Sequence, residues 1–218
     1  MSRRWKALAT IVSVPLLLAC AVALAQGLTR EQALESLSQG DPQLRREAAS
    51  RLGDVGTMAD VPSLVRTLRD PDEDTREEAQ QALWHIWSRS GDPEIDRLYE
   101  VGVEQMSAAN LEEAIETFTR IIERKPAFAE AWNKRATLYF LTGELRKSLA
   151  DCDEVMKRNP YHFGALAGYA QIYIRLEQYD RALEYARRAL EVNPNLDGMR
   201  RTVEALEHAL EERRKRVI

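Results

Sequence analysis

Cysteine is nearly absent from the 218 residues, with two copies at positions 20 and 152. No disulfide framework can be read, and the fold must be held by packing. The three histidines, His85, His162 and His208, stand 77 and 46 residues apart. No short-range metal pair exists, and a metal site is not expected. Aromatic residues make up 7% of the chain, and there are ten glycines and eight prolines. These are too few for a collagenous or linker-dominated chain. Positive charge is not in excess, since 31 Lys and Arg face 35 Asp and Glu, for a net charge of −4. A nucleic-acid surface is therefore not expected, because duplex binding is driven by neutralising phosphates. No G-x-S-x-G, P-loop or G-x-G-x-x-G occurs, so neither a nucleophile elbow nor a phosphate cradle is present in the sequence. No catalytic residues and no cofactor are expected. What the chain does contain, 44% hydrophobic and 30% charged residues, is a soluble, helix-leaning composition.

Long apolar runs are confined to the start. MSRRWK carries three positive charges and precedes an apolar stretch that ends in Ala23-Leu24-Ala25. Charged, apolar and small-residue regions in that order predict a secretory signal over residues 1–25. Two readings stand beside it. Leu17-Leu18-Ala19-Cys20 resembles a lipobox, which would make Cys20 a lipidated terminus, although the apolar run continues past it. The segment from Ala7 to Ala25 also barely reaches the length of an uncleaved anchor. Membrane contact is expected only in those two cases. In all three, Arg3, Arg4 and Lys6 stay on the cytoplasmic side and the body of the chain lies outside, which predicts an exported, periplasmic protein.

Pro126, Pro160 and Pro194 are spaced 34 residues apart. Counting 24 back from each gives Gly102, Ala136 and Ala170, and counting 12 back gives Ala114, Ser148 and Ala182. Both columns are small. The columns 28 and 21 back are mostly large: Leu98, Trp132 and Leu166, then Gln105, Tyr139 and Tyr173. Small positions against large ones let two antiparallel helices approach closely. On these residues the segment resembles tetratricopeptide repeats, three copies over residues 91–196. Gln105, Cys152, Ala186 and Arg135 depart from the usual pattern. The resemblance implies helical hairpins, each ending near a proline. Asp92-Pro93 and Asn110 read as helix starts. After Pro194, Asn195 is expected to cap a final helix over residues 197–218. Its Met199, Val203, Leu206 and Leu210 form one apolar stripe, as a capping helix needs, and its end is basic.

Between residues 26 and 90 a looser repeat appears. Arg45-x-x-Ala48-x-x-x-Leu52 recurs as Arg76-x-x-Ala79-x-x-x-Leu83, an offset of 31. Asp41-Pro42 and Asp70-Pro71 precede the copies as helix starts, and Thr29-x-x-Gln32 reads as a capping box. This resembles HEAT-like repeats. The fold expected for the whole chain is all-α, a right-handed solenoid of helical hairpins, with the short HEAT-like array stacked ahead of three tetratricopeptide repeats. Trp84 and Trp87 are expected to bury against the first tetratricopeptide helix rather than to form a ligand platform. Cys152 falls in a packing column and reads as a buried structural thiol. Asp151, Asp153 and Glu154 read as a solvated face.

With no catalytic constellation, recognition is the remaining role, since such arrays present an extended concave surface. The resemblance implies a peptide or protein partner laid along the first helix of each repeat. The stripe beside the packing columns there is Tyr99, Val103 and Met106, then Asn133, Thr137 and Phe140, then Ala167, Gln171 and Ile174. Chaperone-binding relatives of this type hold a C-terminal carboxylate in a basic clamp. The corresponding positions here are Tyr99, Val103, Asn133, Gly164 and Gly168, so that subtype is not expected. The expected function is a non-catalytic exported adaptor or scaffold in bacterial envelope assembly. The alternative is a membrane-held lipoprotein that regulates an envelope enzyme.

Overall fold

The computed structural model describes residues 27–217; the expected leader with Cys20, and Ile218, lie outside the described residues. Among the described residues every regular element is a helix. The first four are α1 (Arg30–Gln39), α2 (Pro42–Val55), α3 (Val61–Thr67, after a 3-10 turn at Met58–Asp60) and α4 (Glu73–Trp87). Thr29 caps α1 as the sequence predicts, accepting from the Gln32 N–H while Gln32 accepts from the Thr29 N–H. Asp41 caps α2 with Pro42 in the first turn. Asp70 does not cap α4. Its carboxylate is taken up by Arg45, in a two-point contact at 2.7 and 2.8 Å, and Asp72 caps the helix instead.

α1 with α2, and α3 with α4, form two hairpins, and α2 packs on α4. The recurring Ala48, Leu52, Ala79 and Leu83 lie in that interface with no exposed surface. The paired arginines also share a role. Arg45 donates to the Gly40 carbonyl and Arg76 to the Asp70 carbonyl, each tying down the turn ahead of its own helix.

The second half is a run of hairpins: α5 (Pro93–Ser107) with α6 (Leu111–Arg124), α7 (Ala129–Leu141) with α8 (Leu145–Arg158), and α9 (Phe163–Arg175) with α10 (Tyr179–Val192), closed by α11 (Asp197–Val217). Each helix packs on the next in sequence, and α7 also meets α9. The small columns are where the helices cross. A Cβ on Gly102 would stand 2.7 Å from the Phe118 ring. Ser148 donates to the Ala136 carbonyl at 2.7 Å, and Ala170 and Ala182 are wholly buried. α11 seats Met199, Leu206 and Leu210 inward. Its cap is not made by Asn195, which bonds instead to Arg76 and to the Leu68 carbonyl.

Each hairpin turns through one left-handed residue, at Ala109 (φ 59°), Gly143 (φ 82°) and Glu177 (φ 56°), all at one position of the 34-residue period. Only Gly143 adopts this conformation without a Cβ penalty. Ala109→Gly and Glu177→Gly are therefore each expected to stabilise the fold by about 0.5 kcal/mol. Urea midpoints measure this, and a loss of stability in both variants would contradict it.

The two halves are joined differently from the expected end-to-end stacking. α4 runs along the edge of the second array, across the turns that carry the repeat prolines. Gln80 accepts from Asn193 and Arg76 donates to Asn195 at one turn. At the next turn Trp84 and Trp87 meet His162 and Phe163, not the first helix α5. Phe163 is counted among the buried side chains of the first array's core.

Candidate functional site

α5, α7 and α9 line up as the first helices of the three hairpins, and the nine stripe residues divide among them. Asn133, Thr137, Phe140 and Gln171 come together around one cleft of about 50 Å³. Its floor is made mostly of small or short side chains, Ala136, Ser148, Gly164 and Gly168, with Cys152 and the buried Ile172 beneath. Thr137 and Gln171 are exposed and Asn133 and Phe140 are half-buried. Phe140 is fixed from outside by Arg175, whose guanidinium lies 4.9 Å from the ring centroid and donates to the Phe140 carbonyl. Gly164 and Gly168 are the residues that the stripe missed. Their spacing of four puts two bare positions on one face of α9, a signal present in the sequence.

The other five stripe residues lie outside the cleft. Tyr99 is a correction: it is 8% exposed and wedged edge-on between Phe118 and Phe128. Burial, with Glu130 nearby, raises its hydroxyl pKa, so the ring is a packing element and not a binding anchor. Val103 and Met106 lean on the same cluster, Ile174 packs near Tyr173, and Ala167 packs near Leu166.

One end of the cleft is closed by the first array. A Cβ on Gly164 would stand 2.7 Å from Trp84, so the glycine is what lets the indole enter. Beside it His162 lies stacked on Trp87, 4.5 Å between centroids. The His162 Nδ1 accepts from the Ala165 N–H at 3.0 Å, which leaves Nε2 to donate to Glu130 at 2.8 Å. Glu130 is wholly buried and also meets Lys134 at 3.2 Å and the Asn133 amide. Burial opposes its ionisation, but His162 and Lys134 outweigh that and hold its pKa below the ordinary carboxylate value. The stability this contributes is complete above the unfolded pKa, about 4.3, and is lost as pH falls through the lower folded value. Glu130→Gln is accordingly expected to flatten the loss of stability below about pH 4. Urea unfolding as a function of pH would show it, and an unchanged acid slope would refute it.

Asp151, within the acidic cluster, is a second correction. Asp151 is 4% exposed and pairs with Arg135 at 2.8 and 2.9 Å, and Asp153 accepts from the Tyr169 hydroxyl. Asp153 is nonetheless exposed, and Glu154 is half-buried beside Lys157 and Arg158, so the solvated face holds at those two residues. Cys152 is buried, and burial first, then Asp151 and Asp153, push its thiol up to about 12. Such a thiol is not a nucleophile at neutral pH. Among the described residues no group of three or more His, Cys, Asp or Glu converges as a metal site, and no helix is long and apolar enough to cross a membrane.

Comparison with known proteins agrees with this geometry. Tetratricopeptide-repeat family models match residues 102–163 and 163–196. A TPR repeat-containing protein of Rhizobium etli is 33% identical over 132 residues, covering 61% of this chain and 64% of that protein. The Hsp70-Hsp90 organizing protein 1 of Glycine max is 28% identical over 153 residues, 68% of this chain and 26% of that protein. The chain thus spans less than two thirds of either relative. Among solved structures, the Sgt2 TPR domain from Aspergillus fumigatus has a TM-score of 0.54 at 24% identity, covering 57% of this chain and 83% of the domain. The first TPR of Spaghetti, bound to an HSP90 peptide, has a TM-score of 0.52 at 21% identity, covering 54% of this chain and 93% of that domain. The second half of the chain is built of tetratricopeptide repeats.

Proposed function

We propose that this protein is a non-catalytic adaptor that holds an extended peptide segment of a partner along α7 and α9. The observation that carries the reading is the row of half-buried Asn133 with exposed Thr137 and Gln171, beside Phe140, over a floor mostly of small side chains. Carboxamides both donate and accept, which suits a peptide backbone of any sequence. The shallow floor suits one small apolar side chain. The Spaghetti domain holds a peptide on the same fold, which supports the reading. No basic clamp is available for an acidic chain end, because Gly164 and Gly168 stand where donors would be required and Tyr99 is buried.

We also propose that it works outside the cytoplasm, in bacterial envelope assembly, on the strength of the charged and apolar order of residues 1–25. The lipid-anchored alternative rests on Leu17 to Cys20. A photo-crosslinking residue at Thr137 or Gln171 is expected to capture a partner from the envelope fraction, whereas the same residue at Glu123, Lys157 or Arg188 is not. Phe140→Ala with Gln171→Ala should weaken capture by about 2 kcal/mol or more, roughly 30-fold. Capture from the Glu123 side alone would refute the groove. In the same fraction, the intact mass is expected to start at Gln26, and a diacylglyceryl adduct on Cys20 would favour the anchored reading.

A further inference from the structure

The end of α4 and the first two proline turns enclose a cavity of about 230 Å³, distinct from the groove. Two of its lining side chains that carry a hydrogen-bonding group are almost wholly buried, Trp87 at 3% and Asn159 at 1% exposed. The Trp87 Nε1 and the Asn159 Nδ2 are the buried side-chain nitrogens that have no hydrogen-bond partner among the described residues. Natural folds rarely leave such donors unpaired. The register makes the vacancy specific. One repeat later, at the equivalent position, the amide of Asn193 donates to Gln80 of α4. Asn159 keeps its oxygen busy with the Tyr161 N–H at 3.2 Å and has nothing for its nitrogen.

Charge points the same way. Arg89, Lys125 and Arg158 line the cavity and no Asp or Glu does. Arg89 is spent on the neutral carbonyls of Gly53, Asp54 and Gly56, so its charge is not cancelled. Lys125 has no carboxylate within salt-bridge distance among the described residues, and only Arg158 is paired, with Glu154. Apart from Ser90 the remaining wall is apolar, with Ile86, Phe128 and Met58. Two spare donors, an uncancelled positive field and an apolar wall are complementary to one chemistry. We propose that this cavity is a binding site for a carboxylate carried on a short aliphatic chain. The carboxylate oxygens accept from Trp87 and Asn159, with Lys125 and Arg89 supplying the field, and the aliphatic part lies against Phe128 and Ile86. The source is either a free small acid or the C-terminal residue of a peptide.

The test is titration of the ¹⁵N-labelled full chain, following the indole N–H resonances. Isovalerate and acetyl-Gly-Gly-Leu present the two sources, and isovaleramide and the peptide's C-terminal amide are their neutral counterparts. The Trp87 resonance is expected to move and saturate with at least one of the two acids, and to respond at least about tenfold more weakly to the matching amide, as loss of a charged hydrogen bond requires. Whichever acid binds identifies the source. Asn159→Asp keeps the oxygen that holds the turn and replaces the spare donor with a carboxylate of its own, so it should weaken binding at least about tenfold. Lys125→Gln, at a more exposed position, should weaken it several-fold, whereas Lys147→Gln should not. A Trp87 resonance unmoved by both acids, or amides that bind as well as acids, would overturn the proposal. These outcomes are independent of partner capture in the groove.

Discussion

Arg135→Leu is expected to destabilise the protein by about 3 kcal/mol or more. The corresponding positions in the other repeats hold Val101 and Tyr169, so leucine suits the column by shape. The cost arises across the interface. Asp151 is 4% exposed and has its guanidinium partner at 2.8 and 2.9 Å, while Arg135 also reaches the Thr119 hydroxyl at 3.0 Å. Burial opposes the charge on Arg135, yet Asp151 raises its pKa above the ordinary value. Removing the arginine strands a buried carboxylate. Arg135→Leu with Asp151→Leu removes both charges and should recover most of the loss, since a buried pair is worth little against well-packed apolar groups. Urea unfolding at neutral pH measures both. A single variant that costs under about 1 kcal/mol, or a double variant no better than the single, would show that the pair is not energetically isolated in the way its burial implies.

Phe163→Ala is expected to cost about 3–5 kcal/mol and, more tellingly, to divide one unfolding transition into two. Phe163 belongs to α9, yet it lies in the core of α1 to α4, with ring centroids 5.2 Å from Trp84 and 5.0 Å from Trp87. It is 2% exposed. A repeat array otherwise transmits stability only between neighbours, so this side chain and the stacked His162 are expected to carry most of the coupling between the halves, beside the polar contacts at Asn193 and Asn195. Hydrogen exchange in the variant should show α1 to α4 opening at lower free energy than α7 to α10. Equal protection loss throughout would mean that polar contacts such as Asn193 to Gln80 carry the coupling instead.

Both results depend on contacts that differ in how visible they were beforehand. The crossings at Gly102, Ala136 and Ala170 were legible, because a strict period places the same need for a small residue at the same place each time. The capping of α1 and α2 was legible because its donors and acceptors lie within three residues. The pairing of Arg135 with Asp151 left a trace, a cation in an apolar column, but its partner sits 16 residues on and looked like one acid among several. Tyr99 misled because the equivalent positions, Asn133 and Ala167, are not aromatic. Only its neighbours Phe118 and Phe128 turn it inward. The seating of α4 on the proline turns was not legible at all, since Trp87 and His162 belong to different repeats with different periods, and no local pattern records a contact that depends on how two arrays meet.

That seating also governs the elasticity of the second array. A stack of hairpins lengthens or shortens by small tilts between neighbours, much as a spring does. α4 is attached through Gln80 at the turn after α10 and through Trp87 at the turn after α8. Seven residues of helix, about 10 Å at the fixed rise of 1.5 Å per residue, separate those attachments. An α-helix does not stretch without breaking its own hydrogen bonds, so the pitch between the second and third hairpins is set by a rod of constant length. Towards the first hairpin the rod ends, and a cavity replaces the contact. The row of α5, α7 and α9 thus has one spacing of fixed gauge, between the second and third hairpins, and one free to adjust, between the first and second.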